Sequence, residues 1–236
     1  MMCRSALAAL TVLALLGGTA CAKGQLQARQ TGVDLPAGVR GGRLVLGNAG
    51  DASVAAQVRI FAWTQDGNGD QLVPTTDLAI SPPVMDIPAG GEQLVRVVRT
   101  GPAAAHEMAY RLVVDELPGD RSSRPGTTVD VRLRYLIPVF VRTPDPAPIA
   151  LTCRVQQARL ACSNSGGVAA QLGASTLVAR DGRKLHITSG LLGYVLAGSA
   201  RGFDLDAKSV GNAGAWTRLE VRLNGQPTSI DLAPAP

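Results

Sequence analysis

The hydrophobic residues of the chain fall in many short runs, and glycine, proline or aspartate separates one run from the next. Runs such as 43–46, 58–63 and 94–98 are rich in aliphatic and β-branched residues. Short runs of this kind predict β-strands, and no segment shows the 3.6-residue period that indicates an amphipathic helix. Asp181-Gly182 and Asn224-Gly225 are typical of two-residue hairpin turns. The pattern therefore predicts an all-β protein.

The sequence also repeats itself once, at a distance of about 115 residues, which is much longer than the repeat of a solenoid. The tetrapeptide Val-Ala-Ala-Gln at 54–57 recurs at 168–171. The residues Arg43, Leu44, Asn48 and Gly50 recur as Arg159, Leu160, Asn164 and Gly166. A single long repeat with many short strands predicts two tandem immunoglobulin-like β-sandwich domains.

A proline-rich segment suggests where the two domains meet. Residues 142–148 contain three prolines in seven positions, a composition typical of a stiff linker. We therefore expect an N-terminal domain over 23–143 and a C-terminal domain over 144–236, both of ordinary size for sandwiches.

The first 22 residues have the layout of a secretory signal peptide. Arg4 is followed by the apolar stretch 6–16 and then by the small residues 20–22. We expect cleavage after Ala22; the alternative is a lipoprotein signal with Cys21 acylated, but Gly18 stands where such a signal prefers a branched aliphatic residue. No later segment is apolar over enough residues to cross a bilayer, so no stable membrane insertion is expected.

Two cysteines, Cys153 and Cys162, remain after the signal peptide is removed. They flank Gln156-Gln157, so a tight hairpin would place them opposite each other. An exported protein matures in an oxidising compartment, which favours a disulfide between them. A metal site is the alternative, but two thiols without a nearby histidine are too few ligands.

The charge of the chain bears on its partners. Loss of Arg4 with the signal peptide lowers the net charge from +5 to +4, and aromatic residues are only 3% of the chain. The arginines do not form a run, and too few aromatic rings are present to stack nucleic-acid bases. The composition therefore favours an acidic or carboxylate-bearing partner and no nucleic acid.

No catalytic motif stands out. His106 and His186 are the two histidines, and neither lies near a serine or cysteine in a recognisable nucleophile motif. We therefore expect no enzyme and no cofactor.

One segment has the beginning of a calcium-binding loop. Asp66, Asn68 and Asp70 alternate as calcium ligands do. However, Gln71 occupies the position that requires glycine, and Pro74 interrupts the loop. A polar hairpin turn accounts for the same residues, so no metal is expected.

The strand predicted near 127–141 has an apolar face. Its members occupy every second position: Val129, Val131, Leu133, Tyr135 and Ile137. Pro138 cannot donate a ladder hydrogen bond, which places the strand at the edge of a sheet. A long apolar edge strand invites aggregation unless a partner covers it, whereas an ordinary core strand would have the same inner face.

Several segments together resemble the periplasmic pilus-assembly chaperones of chaperone–usher systems, in the archaic branch associated with spore-coat-U-type fimbrial subunits. They are 43–50, 61–64, 81–84, 87–91, 110–118, 129–142 and 190–198. The resemblance implies a periplasmic chaperone that lends the 129–137 strand to a pilus subunit and delivers the subunit to an outer-membrane usher. A secreted immunoglobulin-like adhesin or surface-binding module is the alternative function.

The chain departs from this family at the residues that clamp the subunit's terminal carboxylate. The usual arginine and lysine positions correspond to Gly32 and Pro138. Arg111, helped by Arg134, is the candidate replacement, because a guanidinium suits a carboxylate. Solvated surface positions are the alternative for both arginines.

The resemblance also implies an ion pair at the domain junction, formed by Arg96 and Glu107. The third member of the family's triad is an acid in the second domain, and its position corresponds to Asn224.

Overall fold

The structure is a computed structural model that describes residues 24–101, 105–118 and 131–234. The predicted signal peptide, its cleavage after Ala22, the acylation of Cys21 and the predicted donor residue Val129 lie outside the described residues.

The described part of the first β-sandwich contains ten strands in two sheets. The strands are β1 (Leu26–Ala28), β2 (Val33–Leu35), β3 (Gly41–Asn48), β4 (Val54–Gln65), β5 (Asp70–Pro74), β6 (Leu78–Ser81), β7 (Val84–Ile87), β8 (Glu92–Arg99), β9 (Met108–Glu116) and β10 (Arg134–Val141). One sheet has the order β1-β3-β8-β6, and the other has the order β2-β10-β9-β4-β5, with β7 also paired to β4.

In the described residues, the second β-sandwich contains eight strands, one short α-helix and one 3-10 helix (Ala213–Ala215). The elements are β11 (Leu151–Gln156), β12 (Arg159–Asn164), β13 (Ala170–Ala179), β14 (Lys184–Thr188), β15 (Gly193–Val195), β16 (Ser199–Asp204), α1 (Ala207–Val210), β17 (Trp216–Leu223) and β18 (Gln226–Asp231). Its sheets have the orders β11-β12-β16 and β14-β13-β17-β18, with β15 paired to β13. The predicted fold of two tandem immunoglobulin-like sandwiches is confirmed.

Alternate positions of facing strands form the core of each sandwich. In the first, Leu44 and Leu46 of β3 and Leu112 and Val114 of β9 are fully buried. Successive side chains of a strand point to opposite faces, so the residues between them point away from the space between the two sheets. Burial of one such aliphatic side chain contributes about 1.5–3 kcal/mol, and this contribution holds the two sheets together.

The internal repeat has a structural basis in two asparagines, Asn48 and Asn164. Each is almost fully buried, accepts backbone N–H groups through Oδ1 and donates to backbone carbonyls through Nδ2. The partners of Asn48 are Gln25, Gly50, Ala52, Ile87 and Pro88, and those of Asn164 are Ala150, Gly166, Val168 and Val195. A buried amide must have hydrogen-bond partners for both its oxygen and its nitrogen, so the repeated asparagine fixes the same turn in both sandwiches.

The predicted disulfide joins β11 to β12. Cys153 and Cys162 are opposite each other in the antiparallel register, with their Cα atoms 4.1 Å apart. Both are buried in the core of the second sandwich, and the disulfide prediction is confirmed. The predicted hairpin at Asn224-Gly225 is also present: it joins β17 to β18, and both residues have the positive φ that this turn requires.

Across the described ranges, no helix is long and apolar enough to cross a membrane.

Candidate functional site

The strand β10 lies partly at a sheet edge. It pairs with β9 along its whole length, whereas β2 pairs with it only at Val139–Val141. Over Arg134–Pro138, no other strand of the described residues pairs with the second side of β10. We call this side the open edge. The expected edge strand is therefore found at Arg134–Pro138, and β2 covers the remainder.

The predicted apolar face divides in two where β10 enters the sandwich. Ile137 is only 4% exposed and packs in the protein's own core, which corrects its expected contact with a subunit. Tyr135 packs partly against the same core, and its hydroxyl donates to the Leu26 carbonyl at 2.8 Å. Leu133 and Val131 are 37% and 65% exposed. The exposed part of the face therefore precedes the open edge.

Glu116, the last residue of β9, pairs with Leu133, the residue that precedes β10. Its N–H donates to the Leu133 carbonyl at 3.0 Å, and its carboxylate accepts from the Leu133 N–H at 3.2 Å. The Leu133 backbone is thereby held next to the sheet, while its side chain is exposed.

The two family positions that lack a charge lie next to each other. A Cβ atom on Gly32 would lie 3.5 Å from Cγ of Pro138. Pro138 is directly opposite Arg111 of β9. The arginine predicted as a replacement is therefore one strand away from the positions that it would replace.

Arg111 lies where the two sandwiches meet. Its guanidinium carbon is 3.5 Å from the centre of the Trp63 ring and 5.3 Å from that of Tyr194. One guanidinium N–H donates to the Leu136 carbonyl at 3.4 Å, and no carboxylate of the described residues forms an ion pair with it. Burial lowers the pKa of Arg111, and Asp70 opposes this shift; an arginine nevertheless stays charged.

Arg134 has a different surrounding, which corrects its expected role beside Arg111. It forms an ion pair with Asp115, which also pairs with Arg59 at 2.7 Å. Burial opposes ionisation of Asp115, but the hydrogen bonds from Arg134 and Arg59 lower its pKa below the usual value. Arg134 pairs with β9 four residues away from Arg111, which is about 13 Å along a strand. Asp115 therefore already compensates the charge of Arg134.

The ion pair at the junction of the sandwiches also differs from the prediction. The Glu107 carboxylate, whose side chain is 2% exposed, pairs with Arg142 and accepts from the Ala169 N–H at 2.8 Å. Arg142 also donates to Asp34 at 2.8 Å. Arg96 lies on β8, whereas Glu107 directly precedes β9, and these two strands belong to different sheets. Among the described residues, Arg142 and not Arg96 is therefore the arginine that pairs with Glu107.

Sequence reasoning missed Arg142 because the residue stands just after the last strand of the first sandwich. Asn224 lies near the same contact, since its side-chain amide donates to the Ala169 carbonyl at 3.4 Å. Its oxygen accepts from the Gln171 N–H at 2.6 Å. The neutral amide of Asn224 thus binds the backbone of 169–171, the segment whose Ala169 N–H donates to Glu107.

Three aromatic rings form an apolar contact between the two sandwiches, and two of them, Trp63 and Tyr194, lie against Arg111. Trp63 and Phe140 come from the first sandwich and Tyr194 from the second, with ring centres 5.5–6.1 Å apart. Such separations are typical of favourable aromatic pairs. We call these three residues the aromatic contact.

The calcium-like residues form a turn. Asp66 accepts backbone N–H groups of Asn68 and Gly69, and Asp70 begins β5. In residues 24–101, 105–118 and 131–234, no group of three or more histidine, cysteine, aspartate or glutamate side chains could hold a metal ion.

Known proteins share this architecture. The model of the pili and flagellar-assembly chaperone family, PapD N-terminal domain, matches residues 25–147, just over half of the chain. A comparison with curated protein sequences found no match.

Solved structures match over both sandwiches. A chain of the CsuC-CsuE chaperone-tip adhesion subunit pre-assembly complex, from the archaic chaperone-usher Csu pili of Acinetobacter baumannii, is 24% identical with a TM-score of 0.67, covering 88% of this chain and 98% of that chain. A chain of the Salmonella enterica complex of SafA pilin with the SafB chaperone is 19% identical with a TM-score of 0.64, covering 88% and 96%. The Pseudomonas aeruginosa CupB2 chaperone is 21% identical with a TM-score of 0.58, covering 88% and 100%.

The likeness to these structures is a likeness of fold, and the family model identifies the chain. The chain therefore belongs to the pili and flagellar-assembly chaperone family, and it is a chaperone and not an enzyme.

Proposed function

We propose that this protein is a periplasmic chaperone that holds a pilus subunit by lending it a strand and then passes the subunit to an outer-membrane usher. The observation that carries the proposal is the open edge of β10, which follows the exposed side chains of Val131 and Leu133. An unpaired strand edge binds an extended segment of another chain through backbone hydrogen bonds, and alternate side chains fill its pockets. Chaperone–pilin complexes as a class are a known example of this mode of binding.

The apolar residues next to the open edge supply the hydrophobic part of the proposed contact. Each aliphatic side chain that becomes fully buried contributes about 1.5–3 kcal/mol. We assign this role to Val131 and Leu133, and to Val129 on the residue pattern alone. Ile137 is excluded, because it already packs in the chaperone's own core.

Arg111 is the proposed anchor for the terminal carboxylate of the subunit. It is the cation opposite Pro138, at the side of the sheet where the family's own anchor positions, Gly32 and Pro138, meet. Its guanidinium has no carboxylate partner among the described residues, and a hydrogen bond to a charged group contributes about 1.5–3 kcal/mol. Arg134 is not part of this anchor, because Asp115 already compensates its charge.

The compartment and branch rest on the sequence pattern. A signal peptide over 1–22 with a retained cysteine pair fits export to an oxidising compartment. The archaic branch is proposed on the quoted segments, with support from the structural likeness to a chain of the archaic Csu complex. The domain boundary at 143–144 is proposed on the same basis, and residues 142–150 contain no strand.

The proposal is tested by co-expression. The full chain is expressed in a bacterial periplasm together with each candidate pilus subunit of the same genome, and the complex is purified through a tag on the chaperone. We expect one subunit to co-purify at a one-to-one ratio and to be degraded or aggregated when it is expressed alone. Capture of no subunit would contradict the proposal, and only direct binding of the chain to a host surface would support the adhesin alternative.

A further inference from the structure

The hairpin between β4 and β5 connects the two sandwiches. The Gly67 N–H donates to the Ala200 carbonyl at 3.0 Å, and the Gly202 N–H donates to the Gly67 carbonyl at 3.1 Å. Gly67 has a φ of 85°, a conformation that favours glycine. The tip of the hairpin is therefore paired to β16 of the second sandwich as a one-residue addition to its edge.

Gln65, the last residue of β4, makes two side-chain hydrogen bonds to the backbone next to the aromatic contact. Its Nε2 donates to the Tyr194 carbonyl at 2.9 Å, and its Oε1 accepts from the Leu196 N–H at 2.9 Å. Two bonds to one backbone segment imitate a neighbouring strand. The Gln65 side chain of the first sandwich therefore binds the backbone around Tyr194, with which β13 of the second sandwich also pairs through Gln171.

The Tyr194 ring is one of the two rings that contact Arg111. The other, Trp63, lies two residues before Gln65 on β4, and the two rings meet edge to face with centres 5.5 Å apart. A guanidinium near an aromatic ring is attracted by the electron density of its face. The position of the Arg111 side chain is thus set by one ring from each sandwich.

A second bond supports Gln65 itself. Its Nε2 also donates to Oδ1 of Asp70 at 2.9 Å, and Asp70 forms an ion pair with Arg201 of β16. The Gln65 amide is therefore held by its own hairpin while it binds the second sandwich. This geometry restricts the amide to one orientation.

We propose that Gln65 is a positioning residue for Arg111: it holds Tyr194 of the second sandwich against the guanidinium, so that Arg111 is presented to a carboxylate in a fixed orientation. This inference rests on the proposed binding of a carboxylate at Arg111. Gln65 itself does not touch the carboxylate. Its effect on binding therefore depends on the presence of that charge.

The first arm of the test uses the free full-length protein. The Nε–Hε signal of Arg111 is assigned by its loss in Arg111→Lys, and its motion on the picosecond-to-nanosecond scale is measured by the heteronuclear NOE. Gln65→Met keeps the length of the side chain but removes both bonds to the second sandwich. We expect a rigid signal in the parent and a mobile one in Gln65→Met. Gln71→Ala is the matched control, because the Gln71 amide bonds to Asp66 in the same hairpin and not to the second sandwich.

The second arm measures dependence on the carboxylate. The subunit captured in the co-expression experiment is compared with a version extended by two glycines, which moves its terminal charge. In the parent, we expect the extension to weaken binding by about 10- to 100-fold, the loss of one hydrogen bond to a charged group. In Gln65→Met, most of this difference should disappear, whereas Gln71→Ala should keep it.

Either a rigid Arg111 signal in Gln65→Met or an undiminished effect of the extension would overturn the proposal. Tyr194→Leu, which removes the ring and leaves Gln65 in place, should reproduce both changes and serves if Gln65→Met does not fold. If the parent captures no subunit, the proposed function fails, and the motion of Arg111 alone decides whether Gln65 positions it.

Discussion

Pro138 of β10 lies directly opposite Arg111 of β9, on the face of the sheet that meets the second sandwich. Proline has neither a charge nor a donor to offer to a carboxylate, whereas the neighbouring guanidinium has N–H groups available. The proposed anchor, Arg111, is thus one strand away from Pro138, one of the two positions that the resemblance assigns to the family's cations. This arrangement keeps a positive charge beside the open edge.

Replacement of Arg111 should weaken subunit capture while the fold is kept. Arg111→Ala removes the proposed partner of the terminal carboxylate, so we expect a loss of about 1.5–3 kcal/mol in binding free energy. Arg134→Ala is the matched control, because an exposed ion pair such as Arg134–Asp115 contributes only about 0–1 kcal/mol. Binding of the subunit is measured by calorimetry, with folding checked by circular dichroism. Equal affinity of Arg111→Ala and the parent would place the anchor elsewhere.

Charge on the exposed part of the apolar face should abolish capture. Leu133→Asp puts a carboxylate where a subunit pocket would bury a leucine, while the 37% exposed position leaves the chaperone folded. We expect no co-purified subunit and an unchanged melting temperature. Ile137→Ala should act in the opposite way, lowering the free energy of unfolding by about 2–5 kcal/mol because it leaves a cavity in the core. Capture by Leu133→Asp at the parental level would exclude Leu133 from the contact.

Loss of Glu107 should loosen the junction between the sandwiches. Glu107→Ala leaves the Ala169 N–H and the Arg142 guanidinium without their carboxylate, and an unsatisfied buried group costs about 1–3 kcal/mol. Urea unfolding should therefore begin at a lower concentration. Arg96→Ala, the residue that the family resemblance pairs with Glu107, should change stability by about 0.5 kcal/mol or less, as exposed positions usually do. A larger effect of Arg96→Ala would restore the pairing of Arg96 with Glu107.

The sequence was sufficient for features that depend on local pattern. The recurrence of Asn48 as Asn164 predicts two copies of one fold, because a buried amide in a turn needs the same neighbours each time. The spacing of Cys153 and Cys162 predicts their bond, since one tight turn places them opposite each other.

Features that depend on register across distant strands were beyond the sequence. Alternation alone does not tell that β10 enters its own core at Tyr135, so Ile137 was included in the binding face. Arg134 and Asp115 are far apart in the sequence, and only the pairing of β9 with β10 brings them together. Arg142 follows the last strand of its sandwich, where no repeat or motif marks it as the partner of Glu107.

The tyrosines should ionise late. Burial, followed by the Asp77 carboxylate, raises the pKa of Tyr110 to about 12, and burial also raises the pKa values of Tyr135 and Tyr194. A phenol with a raised folded-state pKa loses its contribution to stability as the pH rises from the unfolded value of about 10 towards the folded one, because the unfolded chain ionises first. Ultraviolet titration in the phenolate band should show the folded protein ionising at a higher pH than the protein in urea. Coincident titration curves would contradict this.

Amide hydrogen exchange shows whether the open edge of β10 pairs with a subunit strand. Exchange is measured for residues 131–137 in the free chaperone and in the purified complex, with β3 in the other sheet as the internal reference. Backbone N–H groups that gain a ladder partner exchange more slowly. We predict that amides of Arg134–Ile137 facing the open edge become protected on binding, while those of β3 do not change. Equal exchange of these amides in the free and bound states would contradict strand lending by β10.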